Sequence, residues 1–180
     1  MEVVLIRHTS VDVSKGTCYG QTDVPVRDTF EQEAEETRQA LQQYMPFDKA
    51  FSSPLTRARK LAAYCGYPDA ETDDRLMEMN MGEWEMQLYD EIQDPHLQEW
   101  YDDYMHLPTT GGEGFADLYR RVAAFLDELK SKNYRRVAVF AHGGVLISAG
   151  LYAGLFDEKT AWDHLVPFGG IQYIQLRTRN

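Results

Sequence analysis

The chain has 180 residues, of which 43% are hydrophobic and 12% aromatic, and its 18 basic and 29 acidic residues give a formal net charge of −11. This length and apolar content predict one well-buried domain. So acidic a surface argues against binding to nucleic acid or anionic lipid, because both depend on basic patches. No apolar run approaches the roughly 20 residues that would cross a membrane, no signal peptide is evident, and Cys18 and Cys65 form no recognisable pair. We therefore expect a reduced, cytoplasmic protein.

Four segments in chain order are predicted strands: residues 2–7, 49–52, 136–141 and 171–177. Near-continuous aliphatic runs such as VVLI and VAVFA are typical of a parallel sheet that is covered on both faces. Helical patterns occupy residues 30–44, 54–65, 115–132 and 143–155. The second of these helices is expected to start behind Ser53 as N-cap, with Pro54 in its first turn.

This alternation of strands and helices predicts an α/β fold, a three-layer α/β/α sandwich with a mostly parallel sheet. Residues 1–180 are expected to form a single domain. The acidic and aromatic segment at about 85–112 is predicted to be a helical excursion from that domain.

Polar side chains follow three of the predicted strands. Ligands of open α/β sheets gather beyond the carboxyl ends of the parallel strands. The residues placed there are Arg7 and His8 after the first strand, Arg57 shortly after the second, and His142 with Gly143 and Gly144 after a later one. A single Arg-His pair at a strand end is usually salt-bridged to other residues and solvated, but three such ends on one edge indicate a site.

Two guanidiniums match the oxygens of a phosphoryl group, and the amides of Gly143 and Gly144 at a helix N-terminus add further donors. A neutral histidine can attack phosphorus, and neighbouring arginines disfavour its charged form. The cluster therefore predicts a pocket for a dianionic phosphoryl group without a metal or another cofactor.

The leaving group needs a proton donor, and the stretch DDRLMEMNMGEWE offers Glu78, Glu83 and Glu85. Most glutamates of so acidic a chain are surface charges. Glu78 is the favoured candidate because apolar side chains flank it, namely Leu76, Met77, Met79 and Met81.

The blocks LIRHT, SSPLTRA, LMEMNMGEWE and AHGGV occur in this order between residue 3 and about 176. This set resembles the histidine phosphatase (phosphoglycerate-mutase-like) superfamily. The resemblance implies a phosphate pocket formed by Arg7, His8, Arg57 and His142. It further implies that His8 forms a covalent phosphohistidine and that Glu78 is the proton donor.

Two positions depart from the usual family pattern. Thr9 stands where RHG is common, and Ser14 stands where many members carry asparagine. The stretch GTCYGQTDVPV at 16–26 resembles the matching loop of α-ribazole phosphatases, which remove a phosphate late in the assembly of the cobalamin nucleotide loop. Ser14 can still offer a hydrogen bond to phosphate in place of that asparagine. The resemblance of the 16–26 loop implies Gly20 and Gln21 as further substrate contacts, and the alternative is a surface loop punctuated by Gly and Pro.

The remaining histidines and the aromatic residues of the excursion have simpler interpretations. His96 and His106 lack the spacing of a metal site and are expected on a solvated helical face, and His164 likewise lacks partners in sequence. Four aromatic side chains lie in the excursion: Tyr89, Trp100, Tyr101 and Tyr104. We favour their packing onto the domain, with a lid that stacks on an aromatic part of the substrate as the alternative hypothesis.

These residues favour a metal-independent phosphomonoesterase acting on a phosphorylated small molecule, with α-ribazole 5′-phosphate as the expected substrate. A broad-specificity phosphatase and a phosphoglycerate mutase are the enzymatic alternatives. A non-catalytic sensor of a phosphorylated ligand is the other class of answer, and it would need neither a nucleophile nor an acid. The sequence leaves the oligomeric state open.

Overall fold

The computed structural model describes residues 1–178. The strands in these residues are β1 (Glu2–Arg7), β2 (Lys49–Ser52), β3 (Glu71–Thr72), β4 (Arg136–Ala141) and β5 (Ile171–Gln175). They form one sheet in the order β3-β2-β4-β1-β5. Strand β5 runs antiparallel to β1, and the other neighbouring pairs are parallel.

The α-helices are α1 (Phe30–Leu41), α2 (Thr56–Tyr64), α3 (His96–Asp102), α4 (Phe115–Lys130) and α5 (Gly143–Tyr152). Alternate residues of β1 point to opposite faces of the sheet. Val3 and Leu5 join a core with α4 and α5, whereas Val4 and Ile6 join a second core with α1 and α2. This arrangement confirms the predicted three-layer sandwich with a mostly parallel sheet.

Three of the predicted strands have the observed bounds, and β5 ends at Gln175. Its inner face carries Gln172, which is 8% exposed and donates from Nε2 to the carbonyl of Leu146 at 2.7 Å, while Tyr173 is exposed. Strand β3 was not predicted, because its two exposed residues at the sheet edge carry no apolar pattern.

The predicted N-cap of the second helix is wrong. Helix α2 begins at Thr56, and the carboxylate of Asp23 accepts hydrogen bonds from the Thr56 amide at 2.8 Å and hydroxyl at 2.7 Å. Ser53 is buried, and its hydroxyl lies 2.8 Å from Nε2 of His142. The cap is therefore supplied by a residue 33 positions away, which no local pattern reveals.

The predicted excursion at 85–112 contains little helix. It has one 3-10 turn (Tyr89–Glu91) and the short helix α3, and the rest is turn and loop. A small buried cluster attaches it to the 16–26 loop through Cys18, Met81, Trp84 and Leu97.

The helices within residues 1–178 are all too short or too polar to span a membrane.

Candidate active site

His8 directly follows β1 and is only 3% exposed. Its Nδ1 lies 2.7 Å from the backbone carbonyl oxygen of Thr9. A carbonyl oxygen only accepts, so Nδ1 must carry the ring proton. In the neutral ring, the other nitrogen, Nε2, is left with its lone pair available for attack.

The surroundings of His8 keep its imidazole uncharged. Burial lowers the pKa of His8 to about 3, with further contributions from the guanidiniums of Arg57 and Arg7. Positive charge and burial both penalise the imidazolium. His8 is therefore neutral at physiological pH, as a nucleophile must be.

Arg57 lies in α2 and is fully buried. Its Nη1 donates to the carbonyl of Thr22 at 2.8 Å, and its Nη2 donates to the carbonyl of Gly20. The ring of Tyr19 lies 5.3 Å from its Cζ atom. The 16–26 loop thus wraps the guanidinium and fixes its orientation.

His142 follows β4 and is fully buried beside His8, with 5.1 Å between the two ring centroids. Burial lowers the pKa of His142 well below its ordinary value, and the neighbouring His8 and Arg57 lower it further. The strand ends therefore bring Arg7, His8, Arg57 and His142 together, as we predicted from the shared carboxyl edge of parallel strands.

Several nitrogen atoms of this cluster have no hydrogen-bond partner among residues 1–178. They are Nε of Arg7, Nε of Arg57 and Nδ1 of His142. Buried polar atoms are almost always paired in folded proteins, so each unpaired one requires an explanation. A ligand with several acceptor oxygens, such as a phosphoryl group, would match this set.

Glu78 lies between this cluster and α5. Its carboxylate accepts from the amide of Gly144 at 3.0 Å and from the amide of Met79 at 2.9 Å. A Cβ on Gly144 would collide with that carboxylate, so glycine is required by the close approach. The Gly144 amide is thus used to hold Glu78, and not, as expected, to bind an anion directly.

The other two acid candidates occupy different positions. Glu83 is exposed. Glu85 accepts hydrogen bonds from the Gly20 amide at 3.0 Å, the Thr22 amide at 2.9 Å and the Met81 amide at 2.9 Å. These bonds lower the pKa of Glu85 although burial opposes them. Glu85 therefore holds the 16–26 loop as an ionised group, and Glu78 is the carboxylate at the cluster.

Of the three predicted substrate contacts in or near the 16–26 loop, the structure places one at the site. Gly20 belongs to the site, because its carbonyl accepts from Arg57 and a Cβ there would collide with the Met79 carbonyl. Gln21 instead donates to Glu113 at 3.4 Å. Ser14 lies in an exposed turn, where its carbonyl accepts from the Thr17 amide at 3.1 Å. The structure does not bring the side chains of Ser14 and Gln21 into the cluster.

Arg121 of α4 is a supporting residue of the site that was not predicted from the sequence. Its Nη1 donates to the carbonyl of Met77, its Nη2 donates to that of Glu78 at 2.9 Å, and Glu113 pairs with the same guanidinium at 2.8 Å. Arg121 thus positions the backbone that carries Glu78. Helical periodicity is the signal that could have identified it, because position 121 lies three residues after buried Leu118 and four before buried Phe125, whereas Arg120 lies on the opposite, exposed face.

A cavity of about 430 Å³ opens beside Glu78. Most of its wall is aromatic or thioether, and its lining residues are Tyr19, Glu78, Met79, Met81, Tyr89, Trp100, Tyr104, Phe115, Leu118 and Trp162. Trp100 also packs on Trp84, with 5.5 Å between ring centroids. Trp100 therefore both packs the excursion onto the domain and lines the cavity.

The remaining histidines lie away from this cavity wall. His96 contacts Glu99 at 3.0 Å, His106 bridges Asp103 and Glu158, and His164 stacks on Phe156 at 4.8 Å. Within residues 1–178, no group of three or more His, Cys, Asp or Glu side chains is arranged to hold a metal ion.

Comparison with known proteins finds similar phosphatases. A phosphoserine phosphatase 1 of Hydrogenobacter thermophilus is 25% identical over 171 residues, which are 90% of this chain and 80% of that protein. An adenosylcobalamin/alpha-ribazole phosphatase of Salmonella typhimurium is 28% identical over 155 residues, which are 81% of this chain and 76% of that protein.

Among solved structures, the alpha-ribazole phosphatase of Shigella flexneri superposes with a TM-score of 0.87 at 25% identity, covering 98% of this chain and 91% of that one. The family model of the histidine phosphatase superfamily (branch 1) matches residues 3–178. The chain therefore belongs to the histidine phosphatase superfamily.

Proposed function

We propose that the protein is a phosphomonoesterase that works through a phosphohistidine at His8. The observation that carries this proposal is the hydrogen bond from Nδ1 of His8 to the Thr9 carbonyl, which leaves Nε2 unprotonated. Nε2 attacks phosphorus while the bond to the ester oxygen breaks, and Glu78 gives its proton to the departing oxygen. Water then cleaves the phosphorus–nitrogen bond, Glu78 takes a proton from it, and inorganic phosphate leaves.

Arg7, Arg57 and His142 hold the phosphoryl oxygens during both steps. Two guanidiniums balance the two negative charges of the phosphate and stabilise the charge on its equatorial oxygens in the transition state. Since the protein itself supplies this positive charge, we expect full activity in the presence of EDTA. A loss of activity that only added metal restores would contradict this part of the proposal.

The chemical step is tested by His8→Ala. We expect no turnover of p-nitrophenyl phosphate, because water lacks the held, unprotonated nitrogen, and we expect an acid-labile phosphoprotein in rapidly quenched wild type but not in the variant. Unchanged turnover by His8→Ala would refute the mechanism. A folded protein that binds phosphate but shows no turnover of any phosphomonoester would favour a sensor.

We further propose that the leaving group is flat and uncharged, with α-ribazole 5′-phosphate as the substrate. The walls of the cavity beside Glu78 carry aromatic rings and no Lys or Arg. A substrate carboxylate, as in phosphoserine or phosphoglycerate, would be desolvated there without a cation to pair with. A planar base would stack on the rings, and the names of the Salmonella and Shigella relatives agree with this class.

This substrate assignment is tested by comparing kcat/KM for α-ribazole 5′-phosphate, O-phosphoserine and 3-phosphoglycerate. We expect the first to exceed the others by about 100-fold or more, the cost of leaving one buried carboxylate unpaired. Trp100→Ala should reduce kcat/KM for α-ribazole 5′-phosphate and leave that for a small alkyl phosphate, which has no ring to stack, nearly unchanged. Equal kcat/KM values for all three substrates would indicate a broad-specificity phosphatase instead.

A further inference from the structure

The loop at 165–170, which precedes β5, wraps the end of β1. The Arg7 amide donates to the Gly170 carbonyl at 3.0 Å, and the Gly169 amide donates to the His8 carbonyl at 2.9 Å. On the other side, the hydroxyl of Thr37 in α1 donates to the Gly169 carbonyl at 2.9 Å. The loop is therefore hydrogen-bonded to the backbone of Arg7 and of His8.

Phe168 lies at the turn of this loop and is 40% exposed. Its ring centroid lies 4.1 Å from Cζ of Arg7 and 5.7 Å from the ring centroid of His8. An aromatic ring within about 6 Å of a guanidinium attracts it through the charge distribution of the ring face. One exposed aromatic side chain thus contacts both the phosphate-binding arginine and the nucleophile.

We propose that Phe168 is a positioning residue of the phosphate site, which fixes the plane of the Arg7 guanidinium and excludes water from one side of the His8 ring. This inference rests on the proposed phosphatase chemistry. It assigns a role to a loop that the sequence motifs did not identify.

The first part of this role concerns Arg7. Its Nη1 is bound to the carbonyl of Val166 at 2.8 Å, and the ring of Phe168 covers one face of the guanidinium. Together, the two contacts fix both the position and the plane of the group, with Nε left unpaired among the described residues. A guanidinium that is already oriented loses less conformational freedom when it binds an anion.

The second part concerns His8. Arg57, Arg7 and the neutral ring of His142 lie near its ring and do not favour the imidazolium. The Thr9 carbonyl at Nδ1 acts in the opposite direction and raises the pKa, and the Glu78 carboxylate, held by the amides of Gly144 and Met79, lies at the same cluster. Burial is the largest cause of the low pKa of His8, and Phe168 supplies part of that burial. Removing the ring admits water and raises the pKa of His8 toward its ordinary value.

Two substitutions separate these roles. Phe168→Leu keeps apolar cover on His8 but removes the aromatic face from Arg7. Phe168→Ala removes both. Tyr173→Ala is the matched control, because Tyr173 has a similar exposure of 37% and lies on β5 away from the site.

For Phe168→Leu, we expect calorimetry to show that inorganic phosphate binds roughly fivefold more weakly, the effect of losing one cation–π contact of ordinary strength. KM for p-nitrophenyl phosphate should rise by a similar factor, and the pH dependence of kcat/KM should match that of wild type.

For Phe168→Ala, phosphate binding should weaken as well, and the acidic limb of kcat/KM should move to higher pH. NMR of the His8 ring at pH 5.5 should then show a charged fraction that wild type lacks. Tyr173→Ala should match wild type in all of these measurements.

Phosphate affinity equal to wild type in both Phe168 variants, together with an unchanged His8 ring titration in Phe168→Ala, would overturn the proposal. Both measurements, the phosphate affinity and the titration of the His8 ring, are independent of turnover. If wild type itself lacked phosphatase activity, the proposed function would fail, while the binding and NMR measurements would still decide what Phe168 does.

Discussion

At the scale of single residues, the chemistry of the site depends on which atoms of each side chain already form hydrogen bonds within the protein. The Thr9 carbonyl occupies Nδ1 of His8 and leaves Nε2 free. The amides of Gly144 and Met79 hold the Glu78 carboxylate at the cluster, whereas Glu85 accepts hydrogen bonds from the amides of Gly20 and Thr22 in the 16–26 loop and from that of Met81. Two glutamates seven positions apart thus have different roles because their hydrogen-bond partners differ.

This difference predicts the kinetics of the two amide variants. Glu78→Gln keeps an oxygen that accepts from Gly144 but has no proton to give, so kcat should fall by about 100-fold or more for an alkyl phosphate. For p-nitrophenyl phosphate, whose leaving group needs no proton, the loss should be small. Glu83→Gln, at an exposed position, is the control and should be neutral. Equal losses for both substrates would argue against Glu78 as the acid.

Glu85→Gln should behave differently from Glu78→Gln. It weakens the hydrogen bonds that hold Gly20 and Thr22, whose carbonyls orient Arg57. We expect a higher KM for both phosphate esters, with the same factor for each, because phosphate binding and not proton donation is affected. A steady-state comparison of the two esters measures this, and a loss confined to kcat with the alkyl ester would contradict it.

At the scale of elements, the site is assembled from the ends of β1, β4 and α2, and α4 supports it from the side. Arg121 of α4 bonds to three backbone carbonyls of the Glu78 segment, those of Arg75, Met77 and Glu78. Its only acidic partner within the described residues is Glu113. Helix α4 therefore fixes the segment that α5 then contacts through Gly144.

Arg121→Lys tests this support. A single ammonium cannot replace the planar fork, so carbonyls that are partly buried lose their donors. We expect the free energy of unfolding to fall by about 2 kcal/mol, and kcat to fall with it, as measured by urea unfolding and by turnover. Arg120→Lys is the matched control: this side chain is 76% exposed and meets Asp117 at 3.3 Å, so its change should stay below about 0.5 kcal/mol. Similar effects of both substitutions would show that Arg121 has no special role.

At the scale of the whole molecule, two uncharged histidines are buried in an acidic protein. His8 has a pKa lowered to about 3, and the pKa of His142 is also lowered. In the unfolded chain both take up a proton below their ordinary pKa of 6.5. The unfolded state therefore binds more protons than the folded state as pH falls below 6.5, and the free energy of unfolding decreases.

We expect this decrease to be measurable between pH 6.5 and 5.5, above most of the range in which the carboxylates titrate. Each buried histidine should contribute a slope approaching about 1.4 kcal/mol per pH unit once the unfolded form is protonated. His8→Asn should remove one such contribution from urea unfolding followed against pH. His96→Gln is the control for the sign of the effect, because the hydrogen bonds of partly exposed His96 to the Pro108 carbonyl and to Glu99 raise its pKa, so its contribution to stability is lost as pH rises. A pH dependence in His8→Asn identical to that of wild type would contradict this account.

Much of the molecule follows from local sequence. Apolar runs such as VVLI determine buried strands, and parallel strands share one carboxyl edge, so Arg7, His8, Arg57 and His142 could be predicted to meet there. The sandwich fold was predicted from the alternation of strands and helices, the histidine phosphatase family was predicted from four sequence blocks, and both are confirmed. The catalytic roles of these residues stay predictions that the experiments above decide.

Tertiary structure alone decided the rest. Asp23 caps α2, Gln172 occupies a buried position, Arg121 supports Glu78, and Phe168 covers His8. In each case the partner lies more than 25 positions away along the chain. Strand and helix periodicity describe neighbours within a few residues. Contacts between distant segments depend on how the elements pack, and for that reason only the folded chain shows which side chains complete the site.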